Sequence, residues 1–384
     1  MKLARTPVYL NIAGRYVLDF LKFKILRSSD NPSLVVRLAH ADMGHEGRWL
    51  YLLLYFLAHK QSKIVLMRDI WNLKEYYRLG KYGRLIFGIK NLSFLKKVPK
   101  PDNNTILISD FPYPETERKK WKKFIYVDYN LEKSRAELVG KNYVVLNPRM
   151  HPFSYANYSF ADFDFFRKSE KKIRIFFSGN VSKKAYLENL LTQKFNIVPR
   201  YTLIQSLNNL LGDNLKQIMN IDEFDEVIEI KCKNKFILDD KRFLSNDKWL
   251  STLASSFFFL CPPASHMPFS HNTIEAMAVG TIPLINYQDW FGPPLSDGIN
   301  CVTFNDAKDL ALKIKQILSM NENKIAEMRK NVLEYYKKYL SVESFYKSIY
   351  ESPHQELTLF YNVEDVSMLP KITKDSVIFG NSTE

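Results

Sequence analysis

The sequence predicts an α/β protein built from two doubly wound parallel sheets. Short apolar runs alternate with helical patterns along most of the chain. Polar residues gather at the C-terminal ends of those runs, the edge at which open parallel sheets bind ligands. The 384 residues suffice for two domains of ordinary size, each with its own core. Hydrophobic residues make up 46% and aromatic residues 14% of the chain, with only 13 Gly, a composition of packed rather than disordered chains.

In the first half, residues 33–40 (SLVVRLAH) read as a strand and 47–60 (GRWLYLLLYFLAHK) as a helix apolar nearly all round, hence buried. Residues 63–69, 104–110, 123–128 and 142–147 read as further strands. Their polar ends place His40, Asp42, His45, Asp69, Asp110, Arg149 and His151 on one rim. The loop 40–48 (HADMGHEGR) carries two glycines, which let backbone approach a ligand, and four groups able to move a proton. Simple capping of the buried helix is the competing reading of the same residues.

A boundary is expected near residues 153–166 (FSYANYSFADFDFF), which are aromatic and lack a period, ahead of the basic run 167–172. Asp162 and Asp164 stand there as Asp-x-Asp. Two carboxylates do not complete an oxygen cage, so no metal is assigned to them. The second domain opens with 173–180 (IRIFFSGN), a strand ending in Ser178, Gly179 and Asn180, where the glycine would admit a diphosphate close to backbone. Arg200 follows in the first turn of a helix beginning near Pro199. A cation opposes the dipole there, and either a bound anion or a neighbouring carboxylate would explain it.

Residues 255–285 (SSFFFLCPPASHMPFSHNTIEAMAVGTIPLI) hold the most specific pattern. An apolar strand and a Pro-rich loop lead to Ser270, His271 and Asn272 at the start of a short helix, which carries Glu275 and ends at Gly280 before another strand. The unpaired N–H groups and positive end of such a helix suit a phosphate. Asn272 and Thr273 add side-chain donors, and Glu275, a turn later, can accept ribose or sugar hydroxyls. An ordinary N-cap with an acid in the first turn competes with this reading.

The run from Pro268, Pro-x-Ser-His-Asn-x-x-Glu-Ala-Met-x-x-Gly-x-x-Pro, resembles the donor-binding signature of GT-B glycosyltransferases, in a flavour similar to the bacterial exostosin-like branch. Residues 295–304 and 309–318 continue the resemblance, which covers about residues 170–350. It implies two Rossmann-like domains facing a central cleft: 1–160 on the acceptor side, 161–340 holding the nucleotide sugar, and 341–384 as a crossing helix and tail. Ser178, Gly179, Asn180, Arg200, Ser270, His271, Asn272, Thr273 and Glu275 are then the donor-binding set, and replacing Glu275 is expected to abolish turnover with the fold intact. An inverting transfer needs a base in the acceptor domain, for which Asp42 or His45 serves. Retaining enzymes of the glycogen synthase type carry a second Glu eight positions before the one in Glu-Ala-Met. This chain has Met267 there, so retention does not follow.

The resemblance implies sugar transfer to a glycan or lipid-linked acceptor, as in surface polysaccharide assembly, with no metal or other cofactor. A nucleotide-sugar epimerase and a noncatalytic sugar-binding protein are the alternatives. A formal charge of +14 suits a nucleotide sugar and an anionic membrane surface. Nucleic acid is not an expected partner, since the basic residues are dispersed and no recognition motif accompanies them. Residues 1–27 are interrupted by Arg5, Arg15, Asp19, Lys22 and Lys24, which excludes a span; a helix docked on its own domain is preferred to an interfacial one. Cys232, Cys261 and Cys301 match no disulfide or zinc spacing. The expected location is the cytoplasm, including the inner face of the membrane. Residues 353–384 show no strong period and read as a surface tail.

Overall fold

The computed structural model describes residues 32–38, 47–61, 63–67, 80–146, 148–187, 190–265 and 267–379. Asp42 and His45 lie outside these residues, as do His40, Asp69 and the N-terminal stretch. The chain divides into one unit of Met1–Leu146, Val342–Val363 and Ser382–Glu384 and another of Asn147–Ser341 and Glu364–Asn381. Arg149 and His151, expected on the rim of the first domain, therefore belong to the second unit.

The first unit is built on seven parallel strands in the order β3-β2-β1-β4-β5-β13-β6. These are β1 (Leu34–Arg37), β2 (Ile64–Met67), β3 (Leu92–Leu95), β4 (Ile106–Ser109), β5 (Lys123–Asp128), β6 (Tyr143–Leu146) and β13 (Glu356–Tyr361). From β1 the chain runs outward through β2 to β3 and then returns to β4 on the other side. The crevice between β1 and β4 is thus the point at which strand order reverses. Val35, Val65, Leu107, Trp121 and Phe124 form a core cluster of this unit. The Arg48–Leu57 helix is buried on most of its surface, as its continuous apolar composition requires.

Strand β13 corrects the surface-tail reading of residues 353–384. It pairs with β5 through Leu357↔Ile125 and with β6 through Phe360↔Val145. Tyr361 at its end donates its hydroxyl to the Trp49 carbonyl at 2.8 Å and meets the Trp49 ring edge-on. Lys123 donates to the carbonyls of Ile349 and Ser352 at 2.9 and 2.7 Å, closing the helical segment that leads into β13.

The second unit has six parallel strands in the order β12-β11-β10-β7-β9-β8. They are β7 (Ile173–Ser178), β8 (Leu215–Gln217), β9 (Phe236–Asp239), β10 (Ser256–Leu260), β11 (Ile282–Ile285) and β12 (Val302–Thr303). Here the chain leaves β7 toward β8 and β9, then crosses to β10 and continues to β11 and β12. Strand order reverses between β7 and β10. Phe176, Phe258, Phe259 and Ile237 are fully buried in the centre, consistent with strands covered on both faces. No helix among the described residues is long and apolar enough to cross a membrane.

Candidate donor site at the edge of the second sheet

The sequence-predicted residues of the second unit converge on the C-terminal ends of β7 and β10. Arg200, the first residue of the Arg200–Leu211 helix, draws the two strand ends together. Its Nη1 donates to the Asn180 carbonyl beyond β7 at 3.2 Å. Its Nε and Nη2 donate to the carbonyls of Pro263 and Pro262 beyond β10, at 3.2 and 3.4 Å. The guanidinium carbon stands 4.2 Å from the centroid of the Tyr186 ring. Burial lowers its pKa, and the other groups acting on its charge are Tyr186, Tyr287, Cys261 and Arg242, none of them a carboxylate.

Arg200 is only 7% exposed, so this is a desolvated cation held by dipoles and a ring rather than by an acid. Of the five N–H groups of a guanidinium, three are donated to those carbonyls. The sequence reading offered an anion or a carboxylate for Arg200; among the described residues no carboxylate acts on it.

Ser178 and Gly179 have structural employment. The Ser178 hydroxyl donates to Asp239 Oδ2 at 2.7 Å, and the same carboxylate, fully buried at the end of β9, accepts the N–H groups of Phe243 and Leu244. A Cβ on Gly179 would lie 2.9 Å from the Phe177 ring, so the glycine answers to its own neighbour. Asn180 is exposed, with its side-chain oxygen accepting from the Ser182 N–H at 2.9 Å.

The His271–Ala278 helix starts beside this crevice, with Ser270 as its N-cap and without a side-chain cap. His271 and Asn272 are half-exposed. Thr273 is fully buried and pairs with the Tyr287 hydroxyl at 2.9 Å. Burial raises the Tyr287 pKa. Burial likewise pushes the Cys261 thiol up to about 12, so it is inert at neutral pH.

Glu275 is placed differently from the sequence expectation. It is 1% exposed. Its Oε1 accepts the backbone N–H of His151 at 3.1 Å and the Ser154 hydroxyl at 2.6 Å, and its Oε2 accepts the Trp249 indole N–H at 2.7 Å. His151 is the N-cap of the Pro152–Asn157 helix, so the carboxylate occupies that helix's positive end. Three donors from its own unit hold Glu275 where sugar hydroxyls were expected. The residue anchors the start of the His271 helix to the Pro152 helix and to Trp249.

The residues that sequence reasoning missed are these anchors, His151, Ser154, Trp249 and Tyr287. The rings of His151 and His271 lie 5.1 Å apart. Asn286, next after β11, has both amide atoms buried without a partner among the described residues. Asp162 caps the Phe160–Arg167 helix through Ser159, and Asp164 pairs with Arg167 at 2.7 Å, so the Asp-x-Asp is spent on helix formation. Among the described residues no group of three His, Cys, Asp or Glu side chains is placed to hold a metal ion.

No family model matches the chain, and no curated protein matches it. Among solved structures it is similar to HepE of Anabaena in complex with UDP and glucose, at 11% identity, with 84% of this chain and 99% of that one covered and a TM-score of 0.37. It is also similar to a glycosyltransferase from Rickettsia africae, at 15% identity, 84% and 100% coverage and a TM-score of 0.38. A third is WaaG, a glycosyltransferase involved in lipopolysaccharide biosynthesis, at 13% identity, 80% and 84% coverage and a TM-score of 0.29. Identities and scores of this size assign no activity to the chain.

Proposed function

We propose that the protein is a glycosyltransferase whose second unit binds a nucleoside diphosphate sugar. The observation that carries the reading is Arg200: a desolvated guanidinium with no acid among the described residues, at the crevice where strand order reverses, next to an N-terminus lacking a side-chain cap. A diphosphate seated between Arg200 and the first N–H groups of the His271 helix supplies the missing negative charge. Asn272, half-exposed at the helix start, is the polar side chain offered to the donor. Ser178, Thr273 and Glu275 act from behind, by fixing the loops that shape the site.

In the transfer, charge develops on the departing diphosphate, and preorganised donors there are stronger in the transition state than in the ground state. Arg200 and the helix start perform that task without a metal in this scheme. Asp42 or His45 is proposed to take the proton from the acceptor hydroxyl. The acceptor is a glycan or lipid-linked saccharide, and the surplus of basic residues favours work at an anionic membrane face.

Thermal shift with UDP, GDP and CMP tests the donor assignment, because a ligand that binds only the folded state stabilises by mass action. At least one diphosphate is expected to raise the melting temperature, and Arg200→Met is expected to remove the rise. Absence of any shift in the wild type, or an equal shift in the variant, refutes the assignment.

A further inference from the structure

Beyond β13 the chain returns to the second unit, which includes Glu364–Asn381. In this segment Leu369, Ile372, Val377 and Ile378 are buried, so it is tied down along its length rather than left as a loose end. The Lys194 ammonium, on the Leu190–Phe195 helix, donates to the Pro370 carbonyl. A turn at Val377–Phe379 then brings the Phe379 ring to the Trp290 ring, with 4.7 Å between centroids.

Trp290 lies beyond the end of β11 and is only 3% exposed. It meets three rings edge-on: Phe379, Phe195 at 4.9 Å and Phe269 at 5.7 Å. Phe269 immediately precedes Ser270, the N-cap of the His271–Ala278 helix. A second branch runs through Phe291, which meets Phe269 edge-on at 5.8 Å and stacks on Tyr287 at 6.4 Å. Tyr287 in turn pairs with Thr273 of the same helix. The aromatic contacts therefore reach the first turn of that helix at two points, before its N-cap and at Thr273.

We infer that residues 364–379 are a positioning strap for the donor site, with Phe379 acting through Trp290 and Phe269 on the start of the His271 helix. Edge-on ring pairs are directional, so a ring that loses its neighbour lets the next one turn. The N–H groups of a helix start hold a phosphate well only when packing behind them fixes where they point. Phe379 touches no ligand in this scheme. Its effect on binding rests on the donor assignment above, whereas its effect on the helix start does not.

Isothermal titration of the full chain with UDP, together with hydrogen exchange of peptides within residues 267–279, tests the strap at a temperature where calorimetry shows every variant folded. Phe379→Ala is expected to weaken UDP binding by about fivefold, the worth of one aromatic pair converted to affinity. It is also expected to speed exchange over residues 267–279 while β7 and β9 keep their protection. Phe379→Tyr, which keeps the ring, is expected to restore both; if the Ala variant does not fold, Phe379→Leu carries the same expectations. Unchanged exchange over residues 267–279, exchange that rises equally in β7 and β9, or wild-type UDP affinity in Phe379→Ala overturns the inference. A wild type that fails to bind UDP refutes the donor assignment alone, and the exchange measurement then decides the strap: a local rise upholds it, a uniform rise or none overturns it.

Discussion

Replacing Glu275 with Ala should destabilise the second unit before it reports on chemistry. The carboxylate is 1% exposed and accepts three hydrogen bonds, from the His151 N–H, the Ser154 hydroxyl and the Trp249 indole. A hydrogen bond to a charged group contributes about 1.5–3 kcal/mol. Removing one side of a buried charged network costs about 3–5 kcal/mol, less than the sum of the bonds because the freed donors relax. For a unit of this size each kcal/mol moves the melting temperature by about 2–4 °C, so a loss of about 4 kcal/mol lowers it by about 8–16 °C. Calorimetry of the protein without ligand checks the value, and Ser154→Ala, which removes a single donor to the carboxylate, should cost about 1.5–3 kcal/mol.

The double variant should lose less than the two single losses combined, because the Ser154 bond is already absent once the carboxylate is gone. A Glu275→Ala protein that melts within about 2 °C of the wild type would refute the anchoring role and return Glu275 to the ligand. The expectation of intact folding attached to this substitution in the sequence reading therefore gives way. The reason is burial and full hydrogen bonding. Activity loss in this variant cannot by itself identify a donor contact.

Two further outcomes follow from local geometry and charge. Gly280 ends the His271 helix at φ 76°, and a Cβ there would meet the Leu333 side chain at 3.2 Å; Gly280→Ala should cost about 1–2 kcal/mol from the left-handed backbone alone, read by urea unfolding, and a change below about 0.5 kcal/mol would contradict the strain. Glu343 is held down to about 2 by hydrogen bonds from Lys60 and His59. Its folded pKa is depressed, so its contribution is complete above the ordinary value of 4.5 and is lost as pH falls toward about 2. Protection factors of the Val342–Tyr346 helix amides, which remove the intrinsic pH dependence of exchange, should fall across that window in the wild type, and Glu343→Gln should flatten the profile; parallel profiles would contradict the linkage.

The two-sheet architecture was legible because buried parallel strands are short apolar runs and the crossover helices separate them cleanly. The runs at 173–180 and 255–285 mapped onto β7, β10, the His271 helix and β11 with small changes at the ends. Strand β8 is three half-buried residues, Leu215–Gln217, too brief to impose a period. Strand β13 has an adequate local pattern, but its place between β5 and β6 is fixed by contacts with residues more than two hundred positions earlier. The same separation hid the role of Glu275. Its partners His151 and Ser154 lie 124 and 121 positions away, and a short polar helix start followed by an acid reads alike whether the acid faces ligand or core.

Among the described residues Arg200 has no carboxylate partner, and its guanidinium rests on the Tyr186 ring. A ring face stabilises a desolvated cation without neutralising it, whereas an acid would cancel the field that attracts an anion. Arg200 also spends three N–H groups on loop carbonyls, so its position is set before a ligand arrives and its substitution should disturb the loops beyond β7 and β10 as well as binding. Arg200→Lys, which keeps the charge but loses the fork, is therefore the control that separates charge from loop geometry in the second unit.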